Sequence, residues 1–461
     1  MVAVIVALSF SYDLMRKPIQ VTDSLIEILD VQRSPSLLAT FVDVAQRPAY
    51  LRPLRLVQIK ALLNLSSGHY QLVYRGFHAL LLTVALLLFT RALRVDRWSD
   101  FAAAVFALTV LTGLHTFRGT VREAFPINHF LEIVVFCLLA LNLSQSRGAW
   151  WIDVTAALTF VVASLTLESG LLVWVVLVAA WMCGLRGVSR RGLIGTTVLV
   201  GAYFLARFAL LSVGTPGLDE RDSGFWLTML EPDELERRFG ANPTWFYLYN
   251  VGTSMLSVLF SDPDRGVFNT VRTWLEGEFP ARLYLQTVSS ALTTGLIGWV
   301  IVDRLRARVT GKPVASEPFL TIFAVVLVAN AALSYAYTKH EIISVAGAFY
   351  ALAAFAAARH VVEYSRPPGP AVARAALCIG LVAIASMWAF RSVGVHHMLQ
   401  AQAFEDQLEW ARLDPDKLAD RGYPSDARSR ALASILRQDA LDMRIANPHM
   451  LPAWPDKWWD D

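Results

Sequence analysis

Residues 50–78 read YLRPLRLVQIKALLNLSSGHYQLVYRGFH and stand directly before the apolar run ALLLTVALLLFT. Three arginines, a lysine, three tyrosines and two histidines fall in this short stretch. Over residues 13–75, Arg16, Lys17, Arg33, Arg47, Arg52, Arg55, Lys60 and Arg75 outnumber the acids. The planar fork of arginine suits bidentate recognition of phosphate. The same charges also fit a long hydrophilic loop or contact with anionic headgroups. Arg207 lies inside an apolar run, where a charge costs roughly 2.5–3.5 kcal/mol on insertion scales, so it marks a site unless it snorkels from the outer turn. Lys339 with Glu341 is either a second phosphate-binding element or a surface ion pair. Metal dependence stays open: a divalent cation is compatible with the chemistry, but no HExxH, Cys-X-X-Cys, P-loop or dinucleotide glycine pattern supplies a clear ligand cluster. Cys137, Cys183 and Cys378 all sit in apolar runs and read as packing residues.

The elements that must position these residues are membrane helices. The 461 residues are 55% hydrophobic and only 17% charged, with mean hydropathy +0.45. A soluble chain of this length would be about a quarter charged, so the expected class is an all-α polytopic membrane protein. A net charge of +3 gives no reason to expect nucleic acid. A bilayer core of about 30 Å needs roughly 20 apolar residues of helix. Apolar runs at 76–95, 101–117, 128–145, 150–167, 169–186 and 193–213 meet or approach this length. So do those at 284–303, 318–337, 342–359 and 372–391. The opening MVAVIVALSFSY reads as the outer end of a first span whose start lies upstream, since it has neither a charged leader nor a small-residue cleavage site.

Arg91, Arg94 and Arg97, then Arg186, Arg190 and Arg191, then Arg304, Arg306, Arg308 and Lys312, then Arg359, Arg366 and Arg374 follow alternate spans. Placing these clusters inside orients every span, provided the short run 246–260 lies at the interface or re-enters rather than crossing. That predicts about eleven spans with the N-terminus inside, and a membrane domain over 1–391. Outside would lie a first loop (13–75), a second loop region (214–283) and a tail (392–461). The tail carries twelve acids against eight bases and a tryptophan-rich end.

The motifs within this frame resemble those of bacterial GT-C glycosyltransferases related to protein O-mannosyltransferases and TMTC proteins. Leu51-Arg52-Pro53-Leu54 looks like that group's Tyr-Arg-Pro-Leu element. Gly68 and the run Gln71-Leu72-Val73-Tyr74-Arg75-Gly76-Phe77-His78 look like its entry to the second span, with Gln71 and Tyr74 departing from the usual His and Asn. Leu114-His115 is similar to a Leu-His-Pro element, with Thr116 in place of the proline. Glu168, in Leu165-Thr166-Leu167-Glu168-Ser169-Gly170, matches the acid of a Ser-Lys-Glu turn without its lysine. Tyr337-Thr338-Lys339-His340-Glu341 stands where the group has an Arg-Tyr element.

The resemblance implies inverting transfer of a sugar from a polyprenyl-phosphate donor to a glycan, lipid or protein acceptor. The site would face outward from a bacterial inner membrane. Such a displacement needs a carboxylate to take the acceptor's proton and cations beside the departing phosphate. The group's acid lies some thirty residues before the Arg-Pro element, which nominates Asp23 with Asp13 as rival. Asp23 also reads as the N-cap of a helix starting at Ser24, and the two roles are compatible. Arg52, Arg55, Arg207 and Lys339 are the expected phosphate-binding residues. His78, Glu168, Tyr50 and His340 are expected on the structural or acceptor side, His78 through hydrogen bonds beneath the first loop and Glu168 as either a hairpin residue or a loop-binding one. Other classes remain in view. A flippase of lipid-linked saccharides would scatter polar groups through the span centres. An O-antigen-type polymerase or ligase would fit the topology but not the Arg-Pro and His pattern, and the missing lysine beside Glu168 with the other departures leaves room for an inactive membrane scaffold acting through its tail.

Overall fold

The computed structural model describes residues 1–47, 51–122, 125–211, 222–224, 227–230, 232–240, 242, 244–260, 267–277, 281–310, 317–336, 338–364 and 371–447. Tyr50 and the tryptophan-rich end lie outside these residues. Helix α1 (Val2–Met15) leads into three helices of the first hydrophilic segment, α2 (Thr22–Arg33), α3 (Leu37–Ala45) and α4 (Pro53–Ser66). Next come α5 (Tyr70–Leu93), α6 (Trp98–Gly113), the short α7 (His115–Arg122), α8 (His129–Ser144) and α9 (Trp150–Thr166). A 3-10 turn at Glu168–Leu171 opens α10 (Leu172–Met182), and α11 (Arg190–Phe204) ends in a π-helical turn, Leu205–Leu210. A small antiparallel hairpin, β1 (Asp222–Gly224) and β2 (Leu227–Leu230), precedes α12 (Pro232–Phe239), α13 (Thr244–Phe260) and α14 (Val267–Leu275). The chain closes with α15 (Ala281–Val309), α16 (Pro318–Leu333), α17 (Ser344–Tyr364), α18 (Ala371–Arg412) and α19 (Ala427–Ala446).

The architecture is that of a helical membrane protein. Among the described residues, five helices are long and apolar enough to cross a bilayer: Tyr70–Leu93, Arg190–Ala209, Leu283–Ala307, Ser344–Glu363 and Ala375–Arg412. α6 and α7 qualify only as a pair bent by 57°. Five more apolar helices, Val2–Met15, His129–Ser144, Trp150–Thr166, Glu168–Met182 and Pro318–Leu333, are 17 residues or shorter. By length alone, then, five or six crossings qualify rather than eleven. Apolar windows in sequence run on through the turns that end these helices.

Among the described residues two large hydrophobic cores stand out, beside a small cluster of Leu235 and Phe246. The larger joins α1, α5, α6, α8, α9, α10, α16 and α17. α17 lies deepest, and its AGAFYALAAFAAAR run explains why: small side chains let neighbouring backbones approach closely where lipid gives no hydrophobic drive. α6 and α18 approach closely at Gly113, where an added Cβ would stand 2.8 Å from the Trp388 carbonyl oxygen of α18. The second core lies outside the bundle. Leu25, Ile28 and Leu29 of α2 and Ile59 and Leu63 of α4 pack with Trp410, Leu413, Leu432 and Leu436 from the tail. The Trp410 indole donates to the Ile19 carbonyl at 2.5 Å. Arg33 reaches Asp426 at 3.0 Å.

Local chemistry sets the element ends. Asn128 caps α8 by accepting from the Leu131 N–H at 3.0 Å, and Asp426 caps α19 through the N–H groups of Arg428 and Ser429. Between α4 and α5, Ser67 at φ 46° and Gly68 at φ 98° make a left-handed turn, which Gly68 enters without steric cost. Away from this side of the bundle, Glu317 ties α16 to Arg304 of α15 at 3.2 Å and Arg359 of α17 at 2.5 Å. Two boundaries differ from expectation. α18 runs unbroken through 391 and 392, so no joint separates membrane from tail there. α2 begins at Thr22 with Val21 at its cap, so Asp23 lies within the first turn and makes no capping bond.

Candidate functional site

The polar residues of the expected site fall into two groups. The first is a clamp built on Glu168. Arg52, at the start of α4, donates from Nε to Glu168 Oε2 at 2.6 Å and pairs with it again through a second nitrogen. Arg207, 4% exposed in the π-helical turn, stands 3.7 Å from Glu168 Oε1 and donates to the Tyr203 hydroxyl at 3.1 Å. Three segments far apart in sequence thus meet on one carboxylate. Arg207 keeps its charge buried against Glu168 and not toward lipid, as insertion cost favours. Alongside, Arg55 pairs with Glu27, and Gln58 donates to Glu132 of α8 at 2.7 Å, with the His129 ring 3.3 Å from the same carboxylate. Burial pushes the Glu27 carboxyl above its ordinary value, and the Arg55 charge opposes that shift. Asp23 sits one turn before Glu27, exposed to solvent. A carboxylate there gains from the helix dipole.

The second group surrounds the short helix α7. Its acid is Asp13, in the last turn of α1 and 4% exposed. His396 of α18 places Nδ1 at 2.5 Å from Asp13 Oδ2, and Gln400, one turn on, donates to Oδ1 at 3.3 Å. The Phe10 ring stacks on the imidazole, with centroids 4.4 Å apart and planes within 7°. Phe10 in turn meets Phe117 of α7 edge-on at 6.2 Å. On α7's other flank, His115 packs against His340 at 4.7 Å and lies 3.2 Å from the Ser257 hydroxyl. Gly119 leaves room for Glu341, whose Oε1 would be 2.9 Å from any Cβ at that position. Lys339 and Arg118 are half-buried nearby in sequence. Below this group Arg391 donates to the Ser289 and Ser290 hydroxyls at 2.9 Å each.

A polar floor supports both groups. Lys17 donates to the Arg122 carbonyl and faces Asp406 of α18 at 4.0 Å. Arg75 donates to the Phe125 carbonyl at 2.8 Å. The buried His78 ring lies 3.5 Å from Arg75 and 3.4 Å from Asn128.

Arg52, Arg55, Arg207 and Glu168 therefore share one neighbourhood with Asp23, while Asp13, Lys339 and His340 belong to the surroundings of α7. Tyr50 lies outside the described residues. Sequence reasoning missed Glu27, which engages Arg55, and His396 and Gln400, which engage Asp13. The signal for the last two was present: a histidine and a glutamine at i and i+4 follow an apolar helix with no break. Assigning 392 onward to a tail hid it. Among the described residues no group of three or more His, Cys, Asp or Glu side chains could hold a metal ion. No family model, curated protein or solved structure matches the chain.

Proposed function

We propose that this chain transfers a sugar from a polyprenyl-phosphate donor to a hydroxyl acceptor on the outer face of a bacterial inner membrane, with inversion at the anomeric carbon. In this reading α1, α5, the α6–α7 pair, α8 to α11 and α15 to α18 make eleven crossings. The shorter helices cross where neighbouring helices and a locally thinned bilayer accommodate them. The contact between the first loop and α19 requires an even number of crossings between them, and ten satisfies it.

The observation that carries the reading is the setting of Asp13. A buried carboxylate at the end of the first helix is held by two donors from α18. Half-buried Arg118 lies in α7 itself, and half-buried Lys339 stands next to His340, whose ring packs on His115 of α7. A carboxylate for the acceptor proton and cations for the departing phosphate are what the displacement requires. Asp13 replaces Asp23 as the preferred acid, because Asp23 is exposed beside Glu27 and Tyr423, out on the loop–tail surface. The Arg52–Glu168–Arg207 clamp then orders the first loop.

The test is sugar transfer in proteoliposomes with a panel of polyprenyl-phosphate sugars, beside binding of undecaprenyl phosphate. Asp13→Asn should lower transfer by about 10²–10⁴-fold, the usual worth of a general base, while leaving lipid binding within about threefold. Asp23→Asn is the contrast, and loss there with Asp13→Asn active would return the role to Asp23. A wild-type protein that neither transfers any sugar of the panel nor binds the lipid phosphate would end the reading.

A further inference from the structure

The carboxylate at the end of α1 is not the group an incoming hydroxyl would meet first. Both Asp13 oxygens are engaged, Oδ2 by His396 Nδ1 and Oδ1 by Gln400 Nε2. The Asp13 side chain is 4% exposed and the His396 side chain 30%. The imidazole plane is fixed by the Phe10 ring stacked on it. Its outer nitrogen, Nε2, has the exposed Ser9 hydroxyl at 3.4 Å, the distance of a weak hydrogen bond that a better-placed hydroxyl would displace. An acid that orients an imidazole through one nitrogen and leaves the other open is the arrangement by which histidine takes protons from hydroxyl groups.

We propose that His396 is the proton acceptor of the transfer reaction and Asp13 its buried counter-ion; this rests on the glycosyl-transfer reading above. As the acceptor oxygen bonds to the anomeric carbon, the bond from that carbon to the phosphate oxygen breaks. Its electron pair leaves with the polyprenyl phosphate, and the acceptor's hydroxyl proton passes to His396 Nε2. Asp13 steadies the imidazolium formed, and Gln400 keeps the carboxylate turned toward it. The base thereby comes from α18, the helix that continues into the outer tail, and not from the first loop.

Transfer and undecaprenyl-phosphate binding are measured for the full-length protein in proteoliposomes, with His396→Ala and His396→Gln beside Asp13→Asn. Both His396 variants should lose transfer by about 10²–10⁴-fold and keep lipid binding within about threefold. Added imidazole should restore at least tenfold of the activity lost in His396→Ala, since it supplies the missing base. It should do nothing for Asp13→Asn. Retention of transfer in either His396 variant, or loss in both with no rescue by imidazole, overturns the proposal. If His396→Ala is active while Asp13→Asn is not, Asp13 acts directly and the glycosyl-transfer reading survives. Only a wild type inert toward every donor and the lipid phosphate removes both.

Discussion

At the scale of single residues, Glu168 decides how the first loop sits on the bundle. Both Arg52 and Arg207 pair with it, and its side chain is 19% exposed against 5% for Arg207. Removing one partner of a buried pair typically costs about 3–5 kcal/mol because the other charge is stranded, but partial exposure screens the loss here. Glu168→Gln should therefore destabilise the protein by about 1–3 kcal/mol, read as a lower thermal midpoint in detergent. A double-mutant cycle of Glu168→Gln with Arg52→Ala should show that the two losses are not additive, while additivity would mean the clamp is only apparent. Little of this was legible from residue types. The insertion cost of Arg207 flagged it as a site, and the turn flagged Glu168. Their pairing could not be read from sequence, because Arg52, Glu168 and Arg207 stand on segments far apart in the chain.

At the scale of elements, α19 depends on its cap. Two N–H groups and the Ser429 hydroxyl donate to Asp426, and these bonds, with Arg33, hold its carboxyl below the ordinary value of 3.8. A depressed carboxyl pKa contributes stability that is present above the unfolded value and lost as pH falls through the folded one. Docking of α19 should therefore be independent of pH above about 5 and weaken progressively below 3.8. Hydrogen exchange of α19 amides across that range tests it. Asp426→Ala should speed the same exchange at neutral pH, because the first turn of α19 loses its cap. Trp410→Ala removes a fully buried indole and its bond to Ile19, and should cost about 3–5 kcal/mol. Apolar spacing around 404–413 made a helix foreseeable. That this helix is the end of α18 was not, since nothing local marks a hinge that is absent. Likewise the shortness of the run 246–260, followed by SDPDR, argued against a simple crossing. In the structure Asn250 donates to the Tyr335 carbonyl at 2.7 Å and Ser257 faces His115, so those residues point into the bundle.

At the scale of the whole molecule, the proposed eleven crossings make a topological prediction. In a background lacking Cys137, Cys183 and Cys378, single cysteines at Ser67 and Gly422 should react with an impermeant maleimide from outside intact cells. Those at Gly184 and Thr310 should react only after permeabilisation. Reaction of Ser67→Cys and Gly422→Cys from opposite sides would contradict the shared outer core. The helical class and the position of nearly every apolar helix were legible in hydropathy alone. Which helices are full spans was not, because several are shortened by polar turns where the candidate site lies, as α6 is at Leu114 and α9 at Leu167. The same turns bring charged residues from distant segments together, and hydropathy averages them away.

One consequence follows from α18. Its 42 residues make a rod of about 63 Å at 1.5 Å per residue, twice the thickness of the hydrocarbon layer. Gly113 presses on it at Trp388, His396 and Gln400 meet Asp13 near its middle, and Trp410 is gripped at its far end. A body that seized the outer tail and leaned on it would have a lever whose fulcrum is α6. The first thing such a lever would move is the imidazole against Asp13.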